Sequence, residues 1–274
     1  MAKSKKKEIE KPSPTPKEDP VEKQLAPRQT NAVAPASMMN SQVTSQDIII
    51  PKVLAMQMMS KKVIDDEASF GEFRDSLENE LLGSIKQPME FLPFHMEKVW
   101  IEYVLQPAPT PGQQPKKKYL RTLPIITDPS SPDYNDNWRY EGENNIVRDR
   151  VMNFFCLLPS QLELGGMPYI ISCRRTSLRA GKKLATQMFV KNMMAKKEPY
   201  AVVFDLLAEK TSNDQGTFVV LDVKPKRQAT AEEKAAVEGW MKMIAGGAVK
   251  IDNSDVEEET DVVGAPIDVD TKEF

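Results

Sequence analysis

The sequence predicts a mainly β fold with inserted helices (α+β), arranged as a small barrel between two disordered tails. Three observations predict this fold class. Segments rich in β-branched and aromatic residues recur from residue 89 onward. Turn-forming residues separate these segments. Strands and helices do not alternate in the pattern that builds a doubly wound parallel sheet. Together these features favour a barrel or sandwich of short strands.

The first part of the chain is expected to be disordered and then partly helical. Residues 1–45 are rich in Lys, Glu, Pro, Ser, Gln and Ala, and such a segment cannot bury enough apolar surface to offset the entropy lost on ordering. An extended run over 48–54 begins the ordered part. A short methionine-rich helix is expected over 56–59. Apolar residues at helical spacing predict a further helix over 70–77 that ends near Gly83.

Strand-forming residues dominate the centre of the chain. The predicted strands lie at 89–94, 99–105, 119–126, 150–158, 168–173, 201–207 and 217–223. A polar stretch over 212–216 predicts a hairpin turn between the last two. A helix is expected within 176–194. Thr230 begins a capping box that predicts a last helix through Met243.

Charge divides the chain into a basic body and an acidic tail. The last 23 residues carry a formal charge of −8, so the other 251 carry +5 of the net −3. We therefore expect three regions: the disordered segment 1–45, one OB-like domain over 46–250, and a disordered acidic tail over 251–274. No apolar run approaches the roughly 20 residues of a transmembrane helix, and no secretory signal is recognisable. We expect a cytoplasmic protein with no membrane partner.

The few cysteine and histidine residues exclude most site chemistry. Cys156 and Cys173 are expected to be buried, reduced thiols, and His95 has no neighbouring nucleophile or second metal ligand. The run 181–183 (Gly-Lys-Lys) lacks the earlier Gly and the following Ser or Thr of a phosphate-binding loop. Acidic residues between 133 and 149 stand among loop-forming residues, so a two-metal nuclease site is not favoured. We expect no enzyme, no metal and no cofactor.

A cationic span follows the strand predicted at 168–173. It contains eight Lys or Arg and no acidic residue: Arg174, Arg175, Arg179, Lys182, Lys183, Lys191, Lys196 and Lys197. Ordinary exposed helices interleave Glu with Lys, whereas uncompensated cations on a folded surface are stabilised by a polyanion. Neutralisation of phosphates with release of counterions supplies that stabilisation. The span therefore indicates contact with nucleic acid, and a solvated helix face is the alternative.

Aromatic rings beside a cationic groove are the second feature of proteins that bind single strands, because bases stack on them. The aromatic candidates are Trp100, Tyr103, Trp138, Tyr140 and Tyr169, and the cations Lys117 and Arg139 extend the predicted groove. Trp138 and Tyr140 stand beside Arg139 in a polar loop, where burial is harder to arrange, and are the foremost stacking candidates. Trp100 and Tyr169 stand in predicted strands, where burial in the core is about as expected as stacking.

The acidic tail ends in an aromatic residue. An acidic segment that serves only to keep the protein soluble has no need of a terminal aromatic ring. Asp268, Asp270, Glu273 and Phe274 present a terminal ring and carboxylate on an acidic segment, which suits a hydrophobic pocket rimmed by basic residues. This layout resembles bacterial and bacteriophage single-stranded DNA-binding proteins, and 167–183 also looks like phage proteins of this kind. The resemblance implies an OB-fold body. It also implies a tail that docks replication or recombination proteins and competes with DNA for the basic groove.

The leading hypothesis is thus a non-catalytic protein that coats single-stranded DNA during phage-like replication or recombination. A mediator that anneals complementary strands shares the basic groove but needs assembly into an oligomer, which the sequence leaves open. A virion or scaffold-type structural protein is the third hypothesis, with the methionine-rich segments near 56–59 and 193–194 as its interaction surfaces.

Overall fold

The computed structural model describes residues 49–106, 116–136, 145–164, 166–213 and 216–245. Its strands are β1 Lys52–Ala55, β2 Glu72–Asp75, β3 Leu81–Ser84, β4 Met89–Gln106, β5 Lys116–Pro124, β6 Ile146–Leu157, β7 Pro168–Arg174, β8 Val202–Asn213 and β9 Gly216–Gln228. Its helices are α1 Lys61–Ile64, α2 Leu178–Ala185, α3 Asn192–Met194 and α4 Ala231–Ala245. A π-helical turn, Thr186–Lys191, joins α2 to α3, and 3-10 turns occupy Pro159–Leu164 and Arg175–Ser177.

The strands of the described residues form a single open sheet. Their order is β3-β2-β1-β7-β6-β4-β8-β9, and β5 pairs with β4 off this path. The pairing is antiparallel except between β1 and β7. The prediction of a mainly β fold with inserted helices is confirmed. The barrel is not, because the sheet does not close on itself. The tails predicted to be disordered, 1–45 and 251–274, lie outside the described residues.

A long shared strand explains why the sheet differs from the expected set of short strands. β4 has 18 residues where the sequence predicts two strands, 89–94 and 99–105, with a break between them. The register against β6 shifts between Pro93 and His95, which accommodates a residue without a backbone N–H. β4 pairs with β8 at its beginning, Met89–Phe91, and with β5 at its end, Val99–Gln106. One strand therefore pairs with three others, β5, β6 and β8.

Apolar side chains lie on both faces of the sheet. Neighbouring residues such as Phe154 and Phe155 point to opposite faces, as the two-residue period of a strand requires. On one face, Leu184 of α2 packs in a cluster with side chains of β4, β6, β7, β8 and β9. On the other, Val237 of α4 packs against Leu92 and its neighbours. The helices α2 and α4 thus cover opposite faces of the sheet.

The region predicted to be helical over 70–77 is instead a hairpin of β2 and β3. Asp75 is buried, and its carboxylate accepts hydrogen bonds from the backbone N–H groups of Leu77, Glu78 and Glu80 at 2.6, 2.8 and 3.1 Å. These bonds build the turn between the two strands. Leu77, which supplied the third apolar position of the helical pattern, is exposed. The predicted helix over 56–59 is also absent, and α1 begins only at Lys61.

Two local predictions are confirmed at the end of the domain. β8 and β9 form the expected hairpin. At the start of α4, Thr230 N–H donates to the Glu233 carboxylate at 2.7 Å, and Glu233 N–H donates to the Thr230 hydroxyl at 3.2 Å. This reciprocal pair is a capping box. The α4 helix continues two residues past the predicted end, to Ala245.

Candidate nucleic-acid interface

The helix that follows β7 carries most of the predicted cationic span. Its inward face, which includes Ala180, Gly181 and Leu184, is buried. A Cβ atom at Gly181 would lie 2.9 Å from Cβ of Cys173 and 3.2 Å from Sδ of Met152, so glycine allows α2 to pack directly on β6 and β7. This close approach fixes which side of the helix faces outward.

The outward side of the helix is cationic. Arg179, Lys182 and Lys183 are exposed and stand three and four residues apart, on one helical face. Lys191, in the π-helical turn, and Lys196, after α3, are exposed as well. We call the set Arg179, Lys182, Lys183, Lys191 and Lys196 the α2 cationic face. All five predicted residues are therefore exposed, between the first turn of α2 and the residues just after α3.

Few carboxylates compensate this face. Lys183 Nζ lies 2.7 Å from Oδ1 of Asp222 on β9. Burial acts to raise the pKa of Asp222, but the hydrogen bond and charge of Lys183 outweigh it and lower that pKa. Among the described residues, the side chains of four members of this face make no ion pair and no hydrogen bond: Arg179, Lys182, Lys191 and Lys196. Four cations are therefore available to a polyanion.

The remaining predicted cations are partly engaged. Lys197 Nζ donates to the side-chain carbonyl of Gln228 at 3.2 Å. Arg174 ends β7, and Arg175 follows it with a positive φ of 47°. Arg175 is half-buried and donates to Oδ2 of Asp149 from Nε at 3.0 Å and from Nη2 at 2.8 Å. Lys117 Nζ lies 3.9 Å from the same oxygen. Arg175 and Lys117 thus form a second group of cations, around Asp149.

The strand aromatics are interior residues. Trp100, Tyr103 and Tyr169 have exposed fractions of 7%, 0% and 5%. The indole N–H of Trp100 donates to the carbonyl of Asn135 at 3.1 Å. Burial in the core, the alternative left open for Trp100 and Tyr169, is the position that the structure gives all three. They offer no ring face to a base in this conformation.

The other predicted contacts lie outside the described residues. These are the loop residues Trp138, Arg139 and Tyr140 and the tail residues Asp268, Asp270, Glu273 and Phe274. Their roles stay predictions.

Two exposed apolar side chains stand among the cations. Val190 and Met194, four residues apart, have exposed fractions of 50% and 81%. Sequence reasoning considered Met194 only as a surface of a structural protein and did not single out Val190. The available signal was a pair of apolar residues, four positions apart, within the cationic span.

The cluster of ion pairs on β4, β5 and β6 was also missed. Glu102 is fully buried, and its two oxygens accept hydrogen bonds from Nε of Arg121 and Nε of Arg148, each at 2.6 Å. Arg150 Nη2 donates to Asp136 at 2.7 Å, and its guanidinium lies 6.0 Å from the centroid of the Trp100 ring system. These carboxylates hold arginines in place, and they do not converge as a metal site would.

The cysteines are buried, free thiols. Burial raises the pKa of Cys156, and it raises the pKa of Cys173 to about 12. Such thiols are poor nucleophiles, because the thiolate is the reactive form. Within the described ranges, no three His, Cys, Asp or Glu side chains are grouped as ligands for a metal ion. No helix in those ranges has the length and hydropathy needed to cross a membrane.

Comparison with known proteins places the chain in a phage family. A family model described as "Pam3 phage gp34-like protein" matches residues 21–250, well over half of the chain. No curated protein and no solved structure matches it. The match covers every described residue, including the open sheet and the α2 cationic face. The chain therefore belongs to the Pam3 phage gp34-like protein family.

Proposed function

We propose that this protein binds single-stranded DNA without catalysis, through the α2 cationic face. The observation that carries the proposal is the set of four exposed cations, Arg179, Lys182, Lys191 and Lys196, with no carboxylate partner among the described residues. Clustered like charges repel one another unless an anion approaches. A sugar–phosphate backbone supplies anions in a row and releases counterions on binding.

The preference for a single strand rests on the apolar side chains within this face. Bases of a single strand are free to contact protein, whereas those of a duplex are stacked and paired inside the helix. Val190 and Met194 offer an exposed apolar surface beside the cations. Because Trp100, Tyr103 and Tyr169 are buried, contact with these two side chains replaces stacking on the strand aromatics.

The acidic tail completes the proposed mechanism. Residues 252–274 carry −8 and the rest of the chain +5, so the tail attracts the same surface that the phosphates occupy. Binding of DNA releases the tail, and Phe274 with its neighbouring acidic residues then docks replication or recombination proteins. A phage family is consistent with such a role in the host cytoplasm.

An OB-like body is part of the proposal. The sheet is open, but the amide of Gln57, just after β1, bridges to the edge strand β9. Its Nε2 donates to the carbonyl of Val219 at 3.3 Å, and its Oε1 accepts from the Val219 N–H at 2.8 Å. The ammonium of Lys210 on β8 lies 6.0 Å from the ring centroid of Phe70. Residues next to β1 and β2 thus contact β8 and β9, which lie at the other end of the strand order, and these contacts support a curled, barrel-like sheet.

The test removes three cations from the α2 cationic face. The variant Arg179→Ala/Lys182→Ala/Lys191→Ala should lose about 100-fold in affinity for a single strand at about 0.1 M salt. It should also flatten the slope of log K against log salt by about 2, since each lost contact contributes about 0.7. Fluorescence anisotropy with a labelled oligonucleotide across a salt series measures both quantities.

A matched control removes the same charge elsewhere. Lys61, Lys86 and Lys242 are exposed on α1, on the turn before β4 and on α4. Their triple replacement by Ala should change affinity by less than about threefold, because screened charges outside the contact surface act weakly. Equal losses in the two variants would mean that net charge alone attracts DNA, and the α2 cationic face would no longer be the interface.

A further inference from the structure

Strand β9 lies beside the helical segment that carries the α2 cationic face. Lys183 Nζ lies 2.7 Å from Oδ1 of Asp222, and Lys197 Nζ donates to Oε1 of Gln228 at 3.2 Å. The two lysines are 14 residues apart, which is about 21 Å at the rise of an α-helix. Their partners are six residues apart on β9, which is about 20 Å at the rise of a strand. The two lengths agree, so the chain from α2 to the residues after α3 runs alongside β9.

Exposed side chains without a partner lie between these two contacts. Lys191 is exposed, and within the described ranges its side chain makes no ion pair and no hydrogen bond. Val190 and Met194 flank it in the chain, with exposed fractions of 50% and 81%. A strand that follows β9 therefore meets a cation and two apolar side chains between two points at which β9 holds a lysine.

Asp222 occupies the place of a phosphate on Lys183. A carboxylate oxygen 2.7 Å from an ammonium makes the same kind of charge-assisted hydrogen bond as a phosphate oxygen. The side chains of Lys183 and Asp222 are 41% and 26% exposed, so an outside anion can reach the ammonium. Burial acts to raise the pKa of Asp222, but the hydrogen bond and charge of Lys183 outweigh it, so the carboxylate is ionised at neutral pH. Gln228 is uncharged, and its bond to Lys197 is the weaker of the two.

We infer that Asp222 competes with the bound strand for Lys183, and that the strand lies along β9 over about 20 Å. This inference rests on the proposed function, and it adds the position of the strand and a residue that limits its affinity. The length corresponds to about six nucleotides at the ~3.4 Å rise of a stacked strand. Lys183 contributes fully to binding only when its carboxylate partner is removed.

A double-mutant cycle tests the competition. Asp222→Asn should tighten single-strand binding about three- to tenfold and steepen the slope of log K against log salt by about 0.7, because one more lysine is available to a phosphate. Lys183→Ala should weaken binding about twofold in the wild type and about tenfold beside Asp222→Asn, because only the second background holds an available lysine to lose. Fluorescence anisotropy of the full chain with a labelled oligonucleotide measures the four affinities.

The matched control removes an equal charge from a different ion pair. The carboxylate of Asp205 on β8 lies 3.0 Å from Nζ of Lys226, outside the α2 cationic face. Asp205→Asn should change affinity by less than about twofold. Equal tightening by Asp205→Asn and Asp222→Asn would mean that net charge alone acts, and it would overturn the competition. An equal effect of Lys183→Ala in both backgrounds would overturn it as well.

Oligonucleotides of increasing length test the position along β9. Affinity at low salt should rise more than about tenfold between three and six nucleotides and less than about threefold between six and twelve, because longer strands extend past both contacts. An even rise up to twelve nucleotides would overturn the inferred length. No single-strand binding at any length would overturn the proposed function together with this inference. Binding that is unaffected by Asp222→Asn would overturn the inference alone.

Discussion

At the scale of single residues, carboxylates decide which cations are available to an outside anion, such as the DNA of the proposed function. Glu102 binds Arg121 and Arg148, and neither arginine projects freely as a result. The cations of α2 have one such partner among the described residues, Asp222 on Lys183. A count of basic residues therefore overstates the binding surface, and the distribution of carboxylates locates it.

Glu102→Gln should lower the free energy of unfolding by about 1–3 kcal/mol at pH 7, because two charge-assisted hydrogen bonds weaken. Burial acts to raise the pKa of Glu102, but Arg121 and Arg148 outweigh it and hold that pKa below its ordinary value of 4.5. The lowered pKa means that this stabilisation is complete above the unfolded-state value. It is lost as pH falls through the folded-state value, so the difference between wild type and variant should shrink below about pH 4.

Urea denaturation at several pH values measures this difference. Glu97→Gln is the control on the same strand, since the Glu97 side chain is 40% exposed and should contribute less than about 0.5 kcal/mol. A difference that stays constant between pH 7 and pH 3 would contradict the assignment of the stabilisation to the ionised Glu102.

The sequence predicts the cations at this scale but not their partners. The absence of acidic residues over 174–197 is visible in the sequence and locates the basic helix. The carboxylates that pair with Arg175 and Lys183 stand 26 and 39 residues away along the chain. The pairing of β6 with β7 and the position of α2 beside β9 bring them together, so the local sequence pattern could not indicate which cations are neutralised.

At the scale of elements, α2 shows how packing directs a charged surface. Gly181 belongs to a run that superficially looks like a phosphate-binding loop, yet its role is the contact of α2 with Cys173 and Met152. Because that contact fixes the rotation of the helix, it also fixes the outward direction of Arg179, Lys182 and Lys183.

Replacing two helical glycines by alanine should change the free energy of unfolding in opposite directions. Gly181→Ala should lower the free energy of unfolding by about 1–3 kcal/mol, because the added methyl group collides with β7 and β6. Gly239→Ala in α4 meets nothing within 4 Å and should raise it by about 0.5–1 kcal/mol through helix propensity. Urea denaturation of both variants checks the signs. Stabilisation by both would contradict the close packing of α2.

Elements that are specified by a few adjacent residues were predictable. The hairpin whose turn depends on one buried carboxylate was not. The Thr230 capping box and the hairpin of β8 and β9 each follow from a few adjacent residues. The hairpin of β2 and β3 depends on the Asp75 carboxylate, which bonds three backbone N–H groups. An aspartate in such a turn has no distinctive spacing, so the apolar pattern over 70–77 favoured a helix that does not form.

At the scale of the whole molecule, the sequence predicted where most strands lie but not which strands pair with one another. Most predicted strands exist, but their lengths and neighbours differ, since β4 spans 18 residues and pairs with β5, β6 and β8. The series of short predicted strands favoured a small barrel. The arrangement of the open sheet depends on contacts between residues distant in sequence, such as Gln57 and Val219, which are 162 positions apart.

The central claim is that the basic body binds single strands and that the acidic tail competes with them. Fluorescence anisotropy with labelled single-stranded and double-stranded DNA across a salt series tests it, with the full chain and a chain that ends at residue 250. We expect salt-sensitive binding that favours the single strand, and tighter binding without the tail, because an internal anion has been removed. Absence of salt-sensitive single-strand binding by both chains would contradict the account.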